Sequence, residues 1–400
     1  MSNQPLTVLC VATYEKGQAF MQECKARGCR VFLLTRESLR DADWPREAID
    51  DYFYLLEKYS LDDVVKGVSW IARHNRLDRI VALDDFDVET AAALREHIRL
   101  PGMGDTTARY FRDKLAMRVK ARNSGFLVPD FVHALNYDAL REFMARVPSP
   151  WVLKPRSEAS ATGIRKVRQA DDLWPILDEL GDKQSSYVLE KYVAGDVYHI
   201  DSFVWEKEVI FSVPHKYGAP PMNVAHDGGV FMTQKLARNS ADAKALTKLN
   251  RELTRALGLV RGVTHTEFIK GHEDGRFYFL ETGARVGGAN IAETVEAATG
   301  LNPWREWAKI EIAGEAGNYE LPPHRDDYAG IVVSLARQEW PDTSSYNDPE
   351  IAWRMNKRHH AGLIVSSPKQ KRVEILLNQY VNRFVEDFLA IQPLPDRPTS

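Results

Sequence analysis

The chain opens with "LTVLCVATY", a short apolar run of the kind that forms a strand buried on both faces. "EKGQAFMQECKARG" follows with apolar positions at helical spacing and halts at a glycine, and "CRVFLLT" is the next apolar run. Strand, helix and strand in that order predict a βαβ unit and hence a parallel sheet. The alternation recurs through "LDDVVKGVSWIARHN", "LDRIVALDD" and "VETAAALREHI", closing on "RLPG" near Gly102. Residues 1–104 therefore read as an α/β domain. Its first turn lacks the G-x-G-x-x-G of a dinucleotide site.

Beyond Gly102 the pattern changes. A predicted helix, "TTARYFRDKLAMRVKARNSG", leads to "VPDFV"; a second, "YDALREFMARV", is stopped by "PSP"; "WVLKP" and "IRKVRQ" then read as strands around "RSEASATG". From about residue 186 strands and helices alternate again. Residues 105–320 thus read as an α+β region in two subdomains that divide near 186. Residues 321–400, beginning after "LPPHRDD", read as a small C-terminal α+β module. In it "VEILLNQYVNRFVEDFLA" predicts a helix with an apolar stripe, and "IQPLPDRPTS" a disordered tail.

At 400 residues the chain is long enough for two or three domains with cores of their own. Its 53 basic and 56 acidic residues leave a formal charge of -3, which is no electrostatic footprint for nucleic acid and points to a small molecule or a protein as partner. No stretch approaches the roughly 18 apolar residues of a membrane span, and the start lacks the basic and apolar regions of a secretory signal. Cys10, Cys24 and Cys29 have neither disulfide-framework nor zinc spacing. A cytoplasmic protein without membrane contact is the expectation.

Two carboxylates stand out against the apolar background. "VTHTEFIKG" and "GRFYFLETG" alternate as strands and are joined by the turn-forming "HEDG". A hairpin centred on Asp274 places Glu267 directly across from Glu281, on one face. Like charges there destabilise a sheet, and a divalent cation bound by both removes the conflict. The alternative is a solvated face on which the glutamates answer Arg276 or Lys270.

Further along, "WVLKPRSEASATGIRKV" puts Lys154 at the end of a strand, ahead of a small-residue loop containing Ser160 and Gly163 that can bring N–H groups to phosphate oxygens. "YVLEKYVAGD" can offer the backbone of Lys191 and Val193 to an adenine edge, Glu190 to its amino group and Asp196 to ribose hydroxyls. Lys114, in "FRDKLAMRVKA", reads by itself as a solvated helix lysine. "VPHKYGAPPMNVAHDGGVFMTQKL" predicts a long loop over a site, with His215, Lys216 and His226 as candidate substrate contacts. His265 shares a strand face with Glu267 and reads as a packed, hydrogen-bonded histidine. The basic run Arg354, Lys357, Arg358, His359 and His360 reads as a solvated segment beside a strand.

Taken in order, "RDK", "VLKP", "LEKYVAGD", "HTEF" and "LETGARVGG" resemble the ATP-grasp superfamily across roughly residues 1–320, and residues 1–104 resemble its pre-ATP-grasp domain. "LETGARVGG" is similar to the glutamate, arginine and double-glycine pattern of the L-amino acid (dipeptide) and other carboxylate-amine ligases. The resemblance implies ATP with magnesium or manganese as cofactors. Lys114 and Lys154 would hold the phosphates, together with the Ser160–Gly163 loop. Glu190 to Val193 would hold the adenine, and Asp196, or else Tyr198 or His199, the ribose. Glu267 and Glu281 would be metal ligands, with Arg285 and Lys154 acting on the reacting phosphoryl group. Gly283 departs from the pattern, which often has Asn there; a second metal would lose that ligand or borrow one from Asn290. Gly288 lies beside these substrate candidates. The implied reaction forms an acyl phosphate from a small-molecule carboxylate and passes it to an amine. The alternatives are a bicarbonate-dependent carboxylase of biotin carboxylase type, although the biotin-carrier "MKM" is absent from this chain, and a nucleotide-binding regulatory protein without turnover. A homodimer is also implied, and in comparable ligases a C-terminal domain closes the site.

Overall fold

Four strands carry the apolar runs of the first hundred residues: β1 (Thr7–Val11), β2 (Arg30–Arg36), β3 (Asp51–Leu55) and β4 (Arg79–Ala82). They pair in parallel in the order β3-β2-β1-β4. Val8, Leu9, Cys10 and Val11 are fully buried because helices cover both faces of the sheet. The helices Leu61–His74 and Val88–His97 pack one side, the first of them started by a capping box between Ser60 and Asp63. Helix Gln18–Ala26 packs the other side together with helix Pro303–Ala313, their Phe20 and Trp307 rings 5.3 Å apart. This computed structural model describes residues 5–159, 162–222, 224, 228–314 and 317–391.

The central region contains two antiparallel sheets. The smaller holds β5 (Phe131–His133), β6 (Trp151–Pro155), β7 (Arg165–Val167) and β8 (Tyr187–Lys191), in the order β5-β8-β6-β7. The larger holds β9 (Gly195–Trp205), β10 (Glu208–Tyr217), β11 (Phe231–Lys235), β12 (Gly262–Gly271), β13 (Phe277–Gly283), β14 (Tyr328–Leu335), β15 (Ile351–Arg354) and β16 (His360–Ser367). Its order is β13-β12-β9-β10-β11-β14-β16-β15, so the C-terminal strands continue the same sheet through the β11–β14 pairing. They have their own apolar cluster as well, in which Tyr346 packs with Leu377, Tyr380 and Phe384 of helix Gln370–Asp387.

One sequence expectation changes here. The long loop expected over residues 213–236 is shorter: His215 and Lys216 lie within β10, and β11 has formed by Phe231. His226 lies outside the described residues. In the basic run, Arg354 donates to the Thr343 carbonyl at 2.6 Å and Arg358 pairs with Glu339 at 3.0 Å, so both charges serve their own module. The tail expected to be disordered lies, from residue 392, outside the described residues. No helix among the described residues is long and apolar enough to cross a membrane.

Candidate functional site

A cavity of about 420 Å³ lies between the two antiparallel sheets. Val152 and Ile164 from the small-sheet side, and Val197, Phe231, Ile269 and Leu280 from the large sheet, give it an apolar wall. Lys114, Lys154, Glu190, Glu267, Glu281, His265 and Arg285 form its charged wall. Pro220, Pro221, Met222 and Val224, from the segment between β10 and β11, complete the lining.

The two glutamates are directly opposed, Glu267 on β12 against Glu281 on β13, with a bulge in β13 at Leu280, next to Glu281. Neither answers Lys270 or Arg276: Lys270 pairs with Asp242 at 2.7 Å. Glu281 Oε2 instead lies 2.9 Å from Lys114 Nζ, and Glu267 Oε1 accepts from the Tyr217 hydroxyl at 2.7 Å. Lys114 also donates to the Glu158 carbonyl at 2.6 Å. It reaches that place as the first residue of helix Lys114–Asn123, whose start is capped by the Asp113 carboxylate accepting from Leu115 and Ala116. Burial works against the Glu281 charge, but Lys114 outweighs it and holds the carboxyl below the usual carboxylate range. Two hard oxygen donors directly opposed on one cavity wall fit a magnesium or manganese ion shared with substrate oxygens.

Glu190, expected at the adenine amino group, lines the cavity with its carboxylate engaged by two cations. On β8 beside β6, it is buried between two cations: Lys154 Nζ lies 2.6 Å from Oε2, and Arg118 Nε lies 2.9 Å from Oε1. Arg118 is wholly shielded from solvent and projects from the same helix as Lys114, one turn on. Burial lowers the Lys154 pKa to about 8, although Glu190 opposes the shift. Burial also works against the charge of Glu190, but Arg118 and Lys154 outweigh it and its pKa falls.

The remaining candidates are scattered. Lys191 and Val193 line the cavity, and the Lys191 N–H is taken by the Asp130 carbonyl at 2.8 Å. Asp196 and Lys216 pair with each other at 2.7 Å outside the lining. Tyr198 donates to Asp242, and His199 is buried in the sheet. None of the three ribose candidates therefore lines the cavity. His215 is also buried, stacked on His199 with ring centres 4.6 Å apart, and burial lowers its pKa to about 3. Of the phosphate loop, Glu158, Ala159 and Thr162 line the cavity, Gly163 turns at φ +70°, and Ser160 lies outside the described residues. Gly288 and Asn290 sit in the turn before helix Ile291–Thr299, away from the lining.

Sequence reasoning missed three features. Asp201 accepts from His199 Nδ1 at 2.7 Å and from His265 Nδ1 at 2.9 Å, and His265 Nε2 lies 3.6 Å from Glu267. Burial opposes the charge on His265, but Asp201 outweighs it and raises the pKa to about 9. His199, Asp201 and His265 are close enough to hold an ion, yet each Asp201 oxygen already faces a ring nitrogen at hydrogen-bond distance. His199 and Asp201 are two apart on one strand face, a signal that was legible. Arg118 had a comparable signal in its spacing from Lys114. The third feature had none: Arg285 Nε and Nη2 lie 2.8 and 2.6 Å from Asp85 Oδ2, in the turn after β4 of the N-terminal sheet.

Comparison with known proteins bears on the same region. Residues 147–293 match the ATP-grasp domain model. The L-arginine-specific L-amino acid ligase of Bacillus subtilis is 24% identical over 291 residues, covering 68% of this chain and 70% of that protein. The solved L-amino acid ligase from Bacillus licheniformis superimposes with a TM-score of 0.75 at 18% identity, over 97% of this chain and 99% of that one. N5-carboxyaminoimidazole synthetase from Staphylococcus aureus, complexed with ADP, gives a TM-score of 0.72 at 14% identity, over 95% and 98% of the two chains.

Proposed function

We propose, from the premise that this chain carries an ATP-grasp domain, that it is an ADP-forming ligase joining the carboxylate of one amino acid to the amine of another. The observation that supports this most directly is the shared wall of one cavity: Lys114, Lys154, Glu267, Glu281 and Arg285 converge there, with the two glutamates in register.

The apolar wall suits an adenine ring, and Lys114 and Lys154 suit the phosphates. Lys154 is held between Glu190 and the cavity and needs no rearrangement to meet an anion. Magnesium or manganese held by Glu267 and Glu281 would neutralise phosphate charge and align the γ-phosphoryl group. A substrate carboxylate oxygen then attacks the γ-phosphorus and ADP leaves. The amine attacks the acyl carbon of the resulting acyl phosphate; inorganic phosphate leaves and the amine gives up a proton. Arg285 faces the charge that develops in both steps, and its loss costs about 3 kcal/mol of transition-state stabilisation, on the order of a hundredfold in rate.

The test is phosphate release from ATP and magnesium with pooled amino acids, comparing wild type with Glu281→Ala, and mass analysis of the products. Pool-dependent release with a dipeptide product, absent in the variant, supports the ligase. Release that depends on bicarbonate would replace it with a carboxylase, and ATP binding without release under any condition would leave a non-catalytic nucleotide binder.

A further inference from the structure

Arg285 is anchored from outside its own domain. Its Nε and Nη2 both donate to Asp85 Oδ2, and its Nη1 donates to the Val286 carbonyl at 3.0 Å. The partners are 200 positions apart, and both are largely buried. Two donors on one carboxylate oxygen fix the direction of the guanidinium as well as its charge. Arg285 nevertheless lines the cavity with Glu267 and Glu281, so its orientation is set by the N-terminal sheet and felt at the reacting groups.

Gly283 supplies the other half of the arrangement. A Cβ at that position would lie 2.7 Å from Asp85 Oδ1 and 3.3 Å from Arg285 Nε. The Asp85 carboxylate therefore occupies the space that any other residue at 283 would need. The obstructing atom is the end of a short side chain, so an added methyl is relieved by turning Asp85 away from Arg285, with the backbone of β13 left in place. Gly283 is thus the condition for the Asp85–Arg285 contact, and its departure from the asparagine pattern acquires a physical reason.

We infer that Asp85 is a positioning residue for Arg285 and that Gly283 is retained to admit it, the three acting as one unit that ties the N-terminal sheet to the chemistry. The inference rests on the reading of Arg285 as the group facing the transferred phosphoryl. The flanking charges fit this reading: Lys16 is engaged by Asp84 at 2.5 Å, and Arg112 is turned to the Ser157 carbonyl and the Phe86 ring, so Arg285 is the cation that donates to Asp85.

The experiment is a double-mutant cycle on the full chain with Asp85→Asn, Gly283→Ala and their combination, and with Arg285→Ala alongside. Asp85→Asn keeps the shape and removes the charge. Each single variant is expected to lose roughly 10- to 100-fold in kcat, with the KM for ATP changed less than about threefold. The combination is expected to be no worse than the poorer single variant, because both break the same contact. A merely structural role would lower Tm and leave kcat per folded molecule intact. Losses that multiply, or Asp85→Asn with wild-type kcat, overturn the inference. If Arg285→Ala itself retains full phosphate release, the functional reading of Arg285 fails first, and the two failures are told apart. Should Gly283→Ala not fold, Asp85→Asn and Arg285→Ala together with their double variant close an equivalent cycle.

Discussion

Replacing Glu190 with glutamine keeps the volume of the side chain and removes the single negative charge between Arg118 and Lys154. All three groups are almost free of solvent contact, so neither cation can recover its hydration by a small movement. Breaking a buried ion pair by removing one partner costs about 3–5 kcal/mol. Lys154 can limit the damage by giving up its proton, since its pKa already lies at about 8, but Arg118 cannot. The loss should therefore be largest near pH 7 and smaller by about 1 kcal/mol at pH 9, where Lys154 is mostly neutral in the wild type too. A multidomain chain does not unfold in one step, so the assay is hydrogen exchange of peptides from β6 and β8. A loss of about 3 kcal/mol accelerates exchange of their protected amides on the order of a hundredfold, and saturating ATP, whose phosphates restore negative charge, should reverse part of it. Unchanged exchange in β6 and β8 combined with lost ATP affinity would refute the reasoning and return Glu190 to the adenine.

Three further outcomes are expected. The folded pKa of Lys154 is lowered by burial, so its positive charge is present below about pH 8 and lost above it; calorimetric ATP affinity should fall from pH 7 to pH 9, and Lys154→Arg should flatten the profile. A wild-type affinity that does not change over that range would contradict this. Tyr217→Phe removes the hydroxyl that donates to Glu267 and should weaken manganese binding about tenfold, measured by titration with a non-hydrolysable ATP analogue; an unchanged constant would separate Tyr217 from the metal ligand. Gly287→Ala puts a Cβ 2.9 Å from His265 Nδ1 and 3.0 Å from Asp201 Oδ1, and should destabilise by about 1–3 kcal/mol, whereas Gly288→Ala, with nothing within 4 Å, should leave Tm within about 1 °C. Equal Tm values for the two would discount the packing around Asp201.

The parts of the molecule that were legible in its sequence are those with local causes. Both-faces-buried apolar runs marked β1 and β2, and a turn-forming centre at Asp274 set the register of Glu267 on Glu281. The loop expected around His215 failed because proline and glycine dominated the local signal. Pro214 is tolerated in β10, where β11 ends, and its carbonyl accepts the Leu236 N–H at 3.0 Å. Glu190 looked free because its two cations come from a helix and a strand that no periodicity ties to β8. Asp85 was invisible for a stronger reason: its partner lies in another sheet, and the only trace of the contact was the missing side chain at Gly283.

The β11–β14 pairing has a consequence for biosynthesis. During translation the sheet that carries Glu267 and Glu281 has one edge, β11, whose neighbour β14 begins only at Tyr328. Until that strand emerges, the site-bearing part of the chain exposes unpaired backbone groups together with Met232 and Val230, which in the finished protein pack against the C-terminal cluster. A chain released at residue 320 would hold the glutamates, both lysines and Arg285 and still present a sticky edge to its neighbours. The final strands thus determine whether a ribosome releases a chain with this sheet edge closed or a seed for association.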